Sequence, residues 1–426
     1  MISPLMSYTG LLDQTDVEWM GLMLHNQDPT KTETRADFIM PVAGQIGGLR
    51  VVLSAAPGAG NSYNFTVRKN VTNTSLGFTI SGTDTSGEDY ANIVDFVAGD
   101  LLNIQITPTS SPTLASCRFY ILISADSAVL LCNDGETSAT GLGASSTHSL
   151  AVMGTVSVGV NVGVTGDQED GGTVCPSDGT ITTMYVQLET APGIGDTRSF
   201  TLYVNDVATA LVVTISGNSI TGSAVSSVSI SAGDKLFILA QRSGGINTPS
   251  TFYSIGMDFT PGVADEFPYM SSCLVDPAGA QLQDIASEIQ FHATTNGSLS
   301  PGISTSTMYV LLQAAPGGSE TRTVTLWQNG VDTTTTLTLT GATASGNFAG
   351  SVAYAENDTI EYELGESSGS AADPLNVRIG LKTVFTGRSP FVSRPMRFYS
   401  RTPNAEPFIF SSLSSEDPMI FSSRTV

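Results

Sequence analysis

Charge is scarce in this sequence, and what there is leans one way. Asp, Glu, Lys and Arg make up 13% of 426 residues, with 39 acidic against 17 basic side chains and a formal net charge of −22. Lysine occurs only at 31, 69, 235 and 382. Phosphate binding needs cations, so direct nucleic-acid binding is excluded as a function class, and so is docking on an anionic membrane. Cysteine is nearly as rare: Cys117, Cys132, Cys175 and Cys273, with no CxxC pair. These are expected as unpaired thiols on strands rather than a disulfide framework. The three histidines, His25, His148 and His292, stand in unrelated contexts without a His or Cys at metal-ligand spacing, so no zinc site is expected. No apolar run approaches the ~20 residues of a membrane-spanning helix. The opening "MISPLMSYTGLLDQTDVEWM" lacks a basic stretch followed by an apolar one, so the chain is expected to fold in a cytoplasm. The N-x-S/T sites at Asn70, Asn73, Asn296 and Asn357 are then chance matches.

What the sequence does have is glycine (43 residues), β-branched side chains and repetition. "SAAPGAGNSYNFTVRKN" returns as "TAPGIGDTRSFTLYVND" and "AAPGGSETRTVTLWQNG". Taking Pro57, Pro192 and Pro316 as anchors, Asn70, Asn205 and Asn329 follow at one spacing, and Gly82, Gly217 and Gly341 at another. Gly87, Gly222 and Gly346 come next, then Asp100, Asp234 and Asp358 with one insertion in the first copy. Upstream stand Pro41, Pro176 and Pro301. Three copies of one module in tandem account for this register.

Within each copy the apolar residues alternate. Leu49, Val51 and Leu53 correspond to Met184, Val186 and Leu188 and to Met308, Val310 and Leu312. After the anchor come Phe65 and Val67, Phe200 and Leu202, Val324 and Leu326, each pair flanking an outward Thr. Period two means strands with one buried face. "APG" lies between two strands, where Pro suits the first turn position and Gly supplies positive φ. A strand follows it rather than a helix, so it is a turn and not a phosphate cradle. Seven or eight short strands per copy predict an antiparallel β-sandwich. Jelly-roll and immunoglobulin-like orders are both open. The absence of a Cys–Trp–Cys core favours a jelly-roll-like one.

The chain is therefore expected to be all-β, with three tandem sandwiches at 35–135, 136–264 and 265–389, between extended arms at 1–34 and 390–426. In the first arm Thr15 and Glu18 have capping-box spacing, which suggests a short helix carrying Trp19, Met20 and Met23. From Arg378 to Val426 seven basic residues face three acidic ones, which leaves the rest of the chain at −26. Arg394, Arg397, Phe398, Tyr399, Arg401, Phe408 and Phe410 would let the second arm lie on a neighbouring surface.

No catalytic constellation is visible. There is no GxSxG, no HExxH and no cofactor motif. The Asp167, Glu169 and Asp170 cluster in "GDQEDGG" could offer oxygen ligands to Ca²⁺, but the pattern departs from an EF-hand loop and an exposed acidic loop is the favoured reading. The most suggestive positions are Arg68, Tyr203 and Trp327, which recur on the outward face of the strand after "APG". They fit partner contacts, a glycan-stacking platform, or cross-strand packing.

The module pattern "APG…T(F/V)T(L/V)…N(G/D)…T(I/L)(S/T)G" resembles repeat modules in virion surface proteins of tailed bacteriophages and related viruses. The resemblance covers most of the three modules and neither end. The first copy departs from it, with "RKNVTNTSLGF" in place of the Asn-Gly or Asn-Asp turn. It implies a non-enzymatic structural protein of a virion assembled in the host cytoplasm: a capsid or capsid-decoration subunit, or a fibre or receptor-binding protein. The implied partners are other virion proteins and further copies of itself, as a homotrimer. A secreted glycan-binding adhesin is the alternative, and a polysaccharide depolymerase a more distant one.

Overall fold

Alternating apolar residues make strands, and the copies of this sequence make them in the same places. The computed structural model describes residues 1–23, 25–133, 142, 148–155, 172–244, 251–273, 281–284, 298–366 and 377–391. The first set of strands is β1 (Ile2–Leu11), β2 (Glu18–Met20), β3 (His25–Gln27), β4 (Phe38–Ile39), β5 (Gly44–Leu53), β6 (Gly58–Lys69), β7 (Thr72–Gly82), β8 (Ser86–Phe96), β9 (Leu101–Thr109) and β10 (Ser116–Ala125). A one-turn helix, α1 (Glu33–Ala36), precedes β4. The second set is β11 (Ala128–Asn133), β12 (His148–Ala151), β13 (Gly154–Thr155), β14 (Thr173–Val174), β15 (Gly179–Leu188), β16 (Gly193–Val204), β17 (Val207–Gly217), β18 (Thr221–Ile230), β19 (Lys235–Ser243) and β20 (Tyr253–Pro261). The third is β21 (Glu266–Cys273), β22 (Gln281–Asp284), β23 (Ser298–Leu312), β24 (Thr321–Gln328), β25 (Val331–Thr340), β26 (Ser345–Glu366) and β27 (Val377–Phe385).

In the first set the pairs nest. β1 pairs with β10, β4 with β9, β5 with β8, and β6 with β7. That is one long hairpin folded over on itself into two sheets, β1-β10-β5-β8 and β2-β9-β6-β7, which is a jelly roll. The second set repeats both sheets as β11-β20-β15-β18 and β12-β19-β16-β17. In the third, β26 runs through both sheets, pairing β23 with its first half and β24 with its second. Its corner is Asn357 at φ +75°, the place where the other modules use Gly99 and Gly233, also at positive φ. The fold is all-β and jelly-roll, and the apolar faces of each sheet pair form the cores, with Phe65, Phe200 and Val324 buried at corresponding positions.

The landmarks of the repeat are structural ties. Each Asn after the "APG" strand sits at φ near +50°, on the tight turn into the next strand. Asn205 donates through Nδ2 to Asp234 Oδ1 at 2.7 Å and accepts from the Lys235 amide at 2.9 Å. Asn70 does the same with Asp100 and Leu101, and Asn329 with Asp358 and Thr359. The other carboxylate oxygen of each Asp accepts the amide three residues back, in Val97, Ser231 and Ala355. Two turns far apart in sequence are thus clamped together in every module. A threonine supports each clamp: Thr74, Thr209 and Thr333 donate to the carbonyls of Val67, Leu202 and Leu326 beside a register shift in the hairpin.

The first 34 residues differ from expectation. Ile2–Leu11 is no arm: it pairs with β10 along its length and with β3 at Tyr8 and Thr9, and most of it is buried. Alternation is missing there because both faces are covered, so Ser3, Ser7 and Thr9 are as buried as Leu5 and Met6. The expected helix at Thr15–Met23 is replaced by β2, paired to β9. Asp13 closes the turn before β2. Its Oδ1 accepts the amides of Thr15 and Asp16, while Glu18 reaches back to the Asp13 amide at 2.7 Å. The strand sets accordingly begin earlier than the boundaries at 35 and 136 drawn from the repeat register. Met1–Pro390 forms one compact unit. Arg394, Arg397, Phe398, Tyr399, Arg401, Phe408, Phe410 and the Asp167–Asp170 loop lie outside the described residues.

The clamp can be tested at Asn205. Asn205→Ala loses both side-chain bonds and puts a Cβ residue at positive φ without compensation, at a cost of about 1–2 kcal/mol. Asn205→Gly loses the bonds but tolerates the backbone, so its thermal midpoint should fall between Ala and wild type. Equal midpoints for wild type and Ala would show that the clamp carries no stability.

Candidate functional site

The outward face of each β1-β10-β5-β8-type sheet is where the modules meet, so the junctions are the candidate site. Three cross-strand pairs lie at the same register. Tyr185 stands opposite Gly256 on β15 and β20, Tyr309 opposite Gly380 on β23 and β27, and Arg50 opposite Tyr120 on β5 and β10. A glycine inside a strand marks a close backbone approach. A Cβ at Gly256 would stand 2.2 Å from the Ile39 carbonyl oxygen and 2.9 Å from Pro41 Cδ of the first module. At Gly380 it would stand 2.4 Å from the Val174 carbonyl oxygen and 3.0 Å from Pro176 Cδ of the second. The two tyrosines receive the turns before the clamped aspartates: Gly99 lies against Tyr185 and Gly233 against Tyr309. The Ile39 amide also donates to Ser254 Oγ at 3.0 Å.

The third module offers the same surface back to the first. β23, which begins with the segment around Pro301, packs against β1 and β10. Glu356, one residue before the Asn357 corner, accepts a hydrogen bond from Tyr120 at 2.8 Å. Tyr90 shares its hydroxyl with Tyr120 at 2.8 Å. Arg388 lies over the Tyr90 ring at 3.6 Å and pairs with Glu88 at 3.0 Å. Burial pushes both phenols up, the Tyr120 one furthest, so they stay protonated donors. The first strands of the modules are tied as well. Ser3 Oγ accepts the Val129 amide at 3.1 Å, and the Tyr269 hydroxyl donates to the Met6 carbonyl at 3.4 Å. One head-to-tail contact, used from first to second, second to third and third to first, closes a ring with threefold pseudosymmetry inside a single chain.

Two of the three residues singled out on the "APG" strands are engaged within their own module. Arg68 pairs with Glu33 of α1 at 2.6 Å and also donates to Asn73. Tyr203 stacks on Phe237 with ring centroids 4.8 Å apart, a cross-strand contact between β16 and β19. Trp327 is half-buried between Asp332 and Glu361 in register, and its indole N–H has no acceptor among the described residues. Sequence reasoning did not reach Tyr120, Glu356 or the junction glycines. The signal available was the recurrence of a strand glycine, Gly256 and Gly380, with Tyr120 standing at that place in the first copy.

Around the first junction sits a buried acid. Asp37 accepts from Asn103 Nδ2 at 2.6 Å, and burial pushes its carboxyl from 3.8 up to about 6. Asn133 of the second module donates to the carbonyls of Arg35 and Asp37 on either side of it. Arg35 pairs with Glu189 and lies over Phe252 at 4.0 Å. A cleft of about 310 Å³ remains at the second junction, walled by Asp206, Lys235, Gln313 and Arg378, with Lys235 paired to Asp206 at 2.5 Å. Among the described residues no group of three or more His, Cys, Asp or Glu is placed to hold a metal. Cys117, Cys132 and Cys175 are buried, and burial raises the Cys117 and Cys175 thiols to about 12. No helix among the described residues is long and apolar enough to cross a membrane.

Two predictions follow from the junctions. Gly256→Val forces the Ile39 carbonyl away, so the thermal midpoint should drop and the Asp126–Ser127 link should become cleavable by a limiting protease. An unchanged digest would mean that the contact is dispensable. For Asp37, the unfolded chain loses its proton near pH 4 and the folded chain near pH 6. Stability therefore falls as pH climbs through that window and stays low above it. Asp37→Asn should raise the midpoint at pH 8 and change it little at pH 4. Equal shifts at both pH values would contradict the assignment.

No protein-family model matches the chain, and no curated protein matches it either. Among solved structures, one described as the triple jelly roll fold and turret assembly in an archaeal virus is similar over 88% of this chain and 89% of its own, at 12% identity and a TM-score of 0.19. Another, from the atomic structure of Sulfolobus Turreted Icosahedral Virus, is similar over 80% and 79%, at 13% identity and a TM-score of 0.18.

Proposed function

We propose that this chain is a non-enzymatic structural subunit of a virus particle, a capsid or capsid-decoration protein. The observation that carries the reading is the closed ring: three jelly rolls meet through one repeated contact and leave their hairpin rims facing outward. The buried polar groups described at the junctions serve packing, as donors and acceptors between modules. The resemblance of the module pattern to virion surface repeats points the same way. In this reading the threefold arrangement expected of a homotrimer is supplied by one chain. The basic, aromatic segment after residue 389 is its attachment to neighbours, attracted by the acidic remainder of another copy.

Light scattering behind a sizing column, on the full chain and on a 1–389 truncation, tests this. The full chain should form a defined oligomer or larger array that weakens with added salt, and the truncation should have lost that attachment. Identical masses for the two would remove the C-terminal segment from the proposal.

A further inference from the structure

Each module turns two sheet edges outward side by side. In the second module these are β17 and β18, the terminal strands of their sheets, which among the described residues pair only with β16 and β15. An open edge is a template for another strand, and folded proteins usually guard it with charge, proline or a covering segment. The first module does so. Its rim from Thr72 to Phe96 carries Asp84, Glu88, Asp89 and Asp95, and Arg388 covers Tyr90. The third carries Asp332. From Val207 to Ile230 the second module has no charged residue and no proline. Val225 on β18, at the place Tyr90 holds in the first module, is 80% exposed, and Val207 and Val212 on β17 are exposed as well.

We propose that the β17/β18 rim of the second module is a self-association surface, whose partner is the same rim of a second copy of this chain. Charge selects the occupant. Two copies at −22 repel wherever their carboxylates meet, and among the three rims only this one can face itself without placing like charges together. Identical edges laid antiparallel also match in length and in hydrogen-bonding pattern, which gives a two-fold contact with no second component. Exposed valines then leave water on both sides at once. This deepens the structural-subunit reading by naming one of its contacts, and it does not involve the segment after residue 389.

Sedimentation velocity on the full chain tests it, with Val225→Lys and, as a control, Val263→Lys on the exposed turn between β20 and β21. The wild type should dimerise with rising concentration. Val225→Lys should weaken the dimer by at least about tenfold, while Val263→Lys leaves it unchanged. Amide exchange should slow across Val207–Ile230 in the dimer. Because position 225 is exposed, the lysine variant keeps its fold, which the thermal midpoint verifies. A wild type that is monomeric at every concentration reached overturns the proposal. So does association that Val225→Lys does not weaken, or that leaves amide exchange in the rim unchanged. In the last two cases the chain still assembles, so the structural-subunit reading survives through another surface. The comparison of the full chain with the truncation tests the C-terminal attachment separately, since the rim is present in both.

Discussion

A carbonyl oxygen pressed into the face of a β-strand decides how this molecule is put together. Where Ile39 meets Gly256, and Val174 meets Gly380, the backbones approach so closely that a single methyl group would not fit. Such contact leaves little freedom of position. It sets the spacing at which the turn before one module's clamped aspartate reaches the tyrosine of the next. The remaining junction hydrogen bonds add direction to a placement that sterics has already narrowed.

Much of the fold was legible because it is local. Period-two runs, turn residues with positive φ and the triple register of Pro, Asn, Gly and Asp are properties of short stretches, and each maps to a strand or turn. The Asn–Asp clamp was half legible. Both residues stood out as landmarks, but their hydrogen bond spans about thirty positions, which a turn argument does not reach. Ile2–Leu11 was not legible, since a strand covered on both sides has no alternation to read. The candidate site was the least legible part. Arg68, Tyr203 and Trp327 attract notice by size and repetition, yet two of them are satisfied inside their own module. Tyr120 and Glu356 matter through a pairing between the first and last modules, and no local pattern encodes which sheet faces which.

The three junctions show what divergence within a repeat accomplishes. Two are built from Tyr opposite Gly, with the chain crossing directly from one module to the next. The third has no such covalent crossing, and there the glycine has become Tyr120, reaching Glu356 and Tyr90, with Arg388 laid across the outside. The polar, directional contact lies where connectivity gives no help. The same divergence separates the rims, acidic on the first module and neutral on the second, which three identical subunits could not achieve.

Fusing three jelly rolls into one chain changes the thermodynamics of their meeting. Separate subunits would lose translational and rotational freedom twice over to form the same ring, and dilution would take it apart. Here each module meets its neighbour at the effective concentration set by a link of a few residues, as after β10 and β20. Each junction can then be weak by the standard of a stable interface and still be closed at any dilution. The ring forms as a first-order event of one polypeptide, and concentration governs only what the finished ring does next.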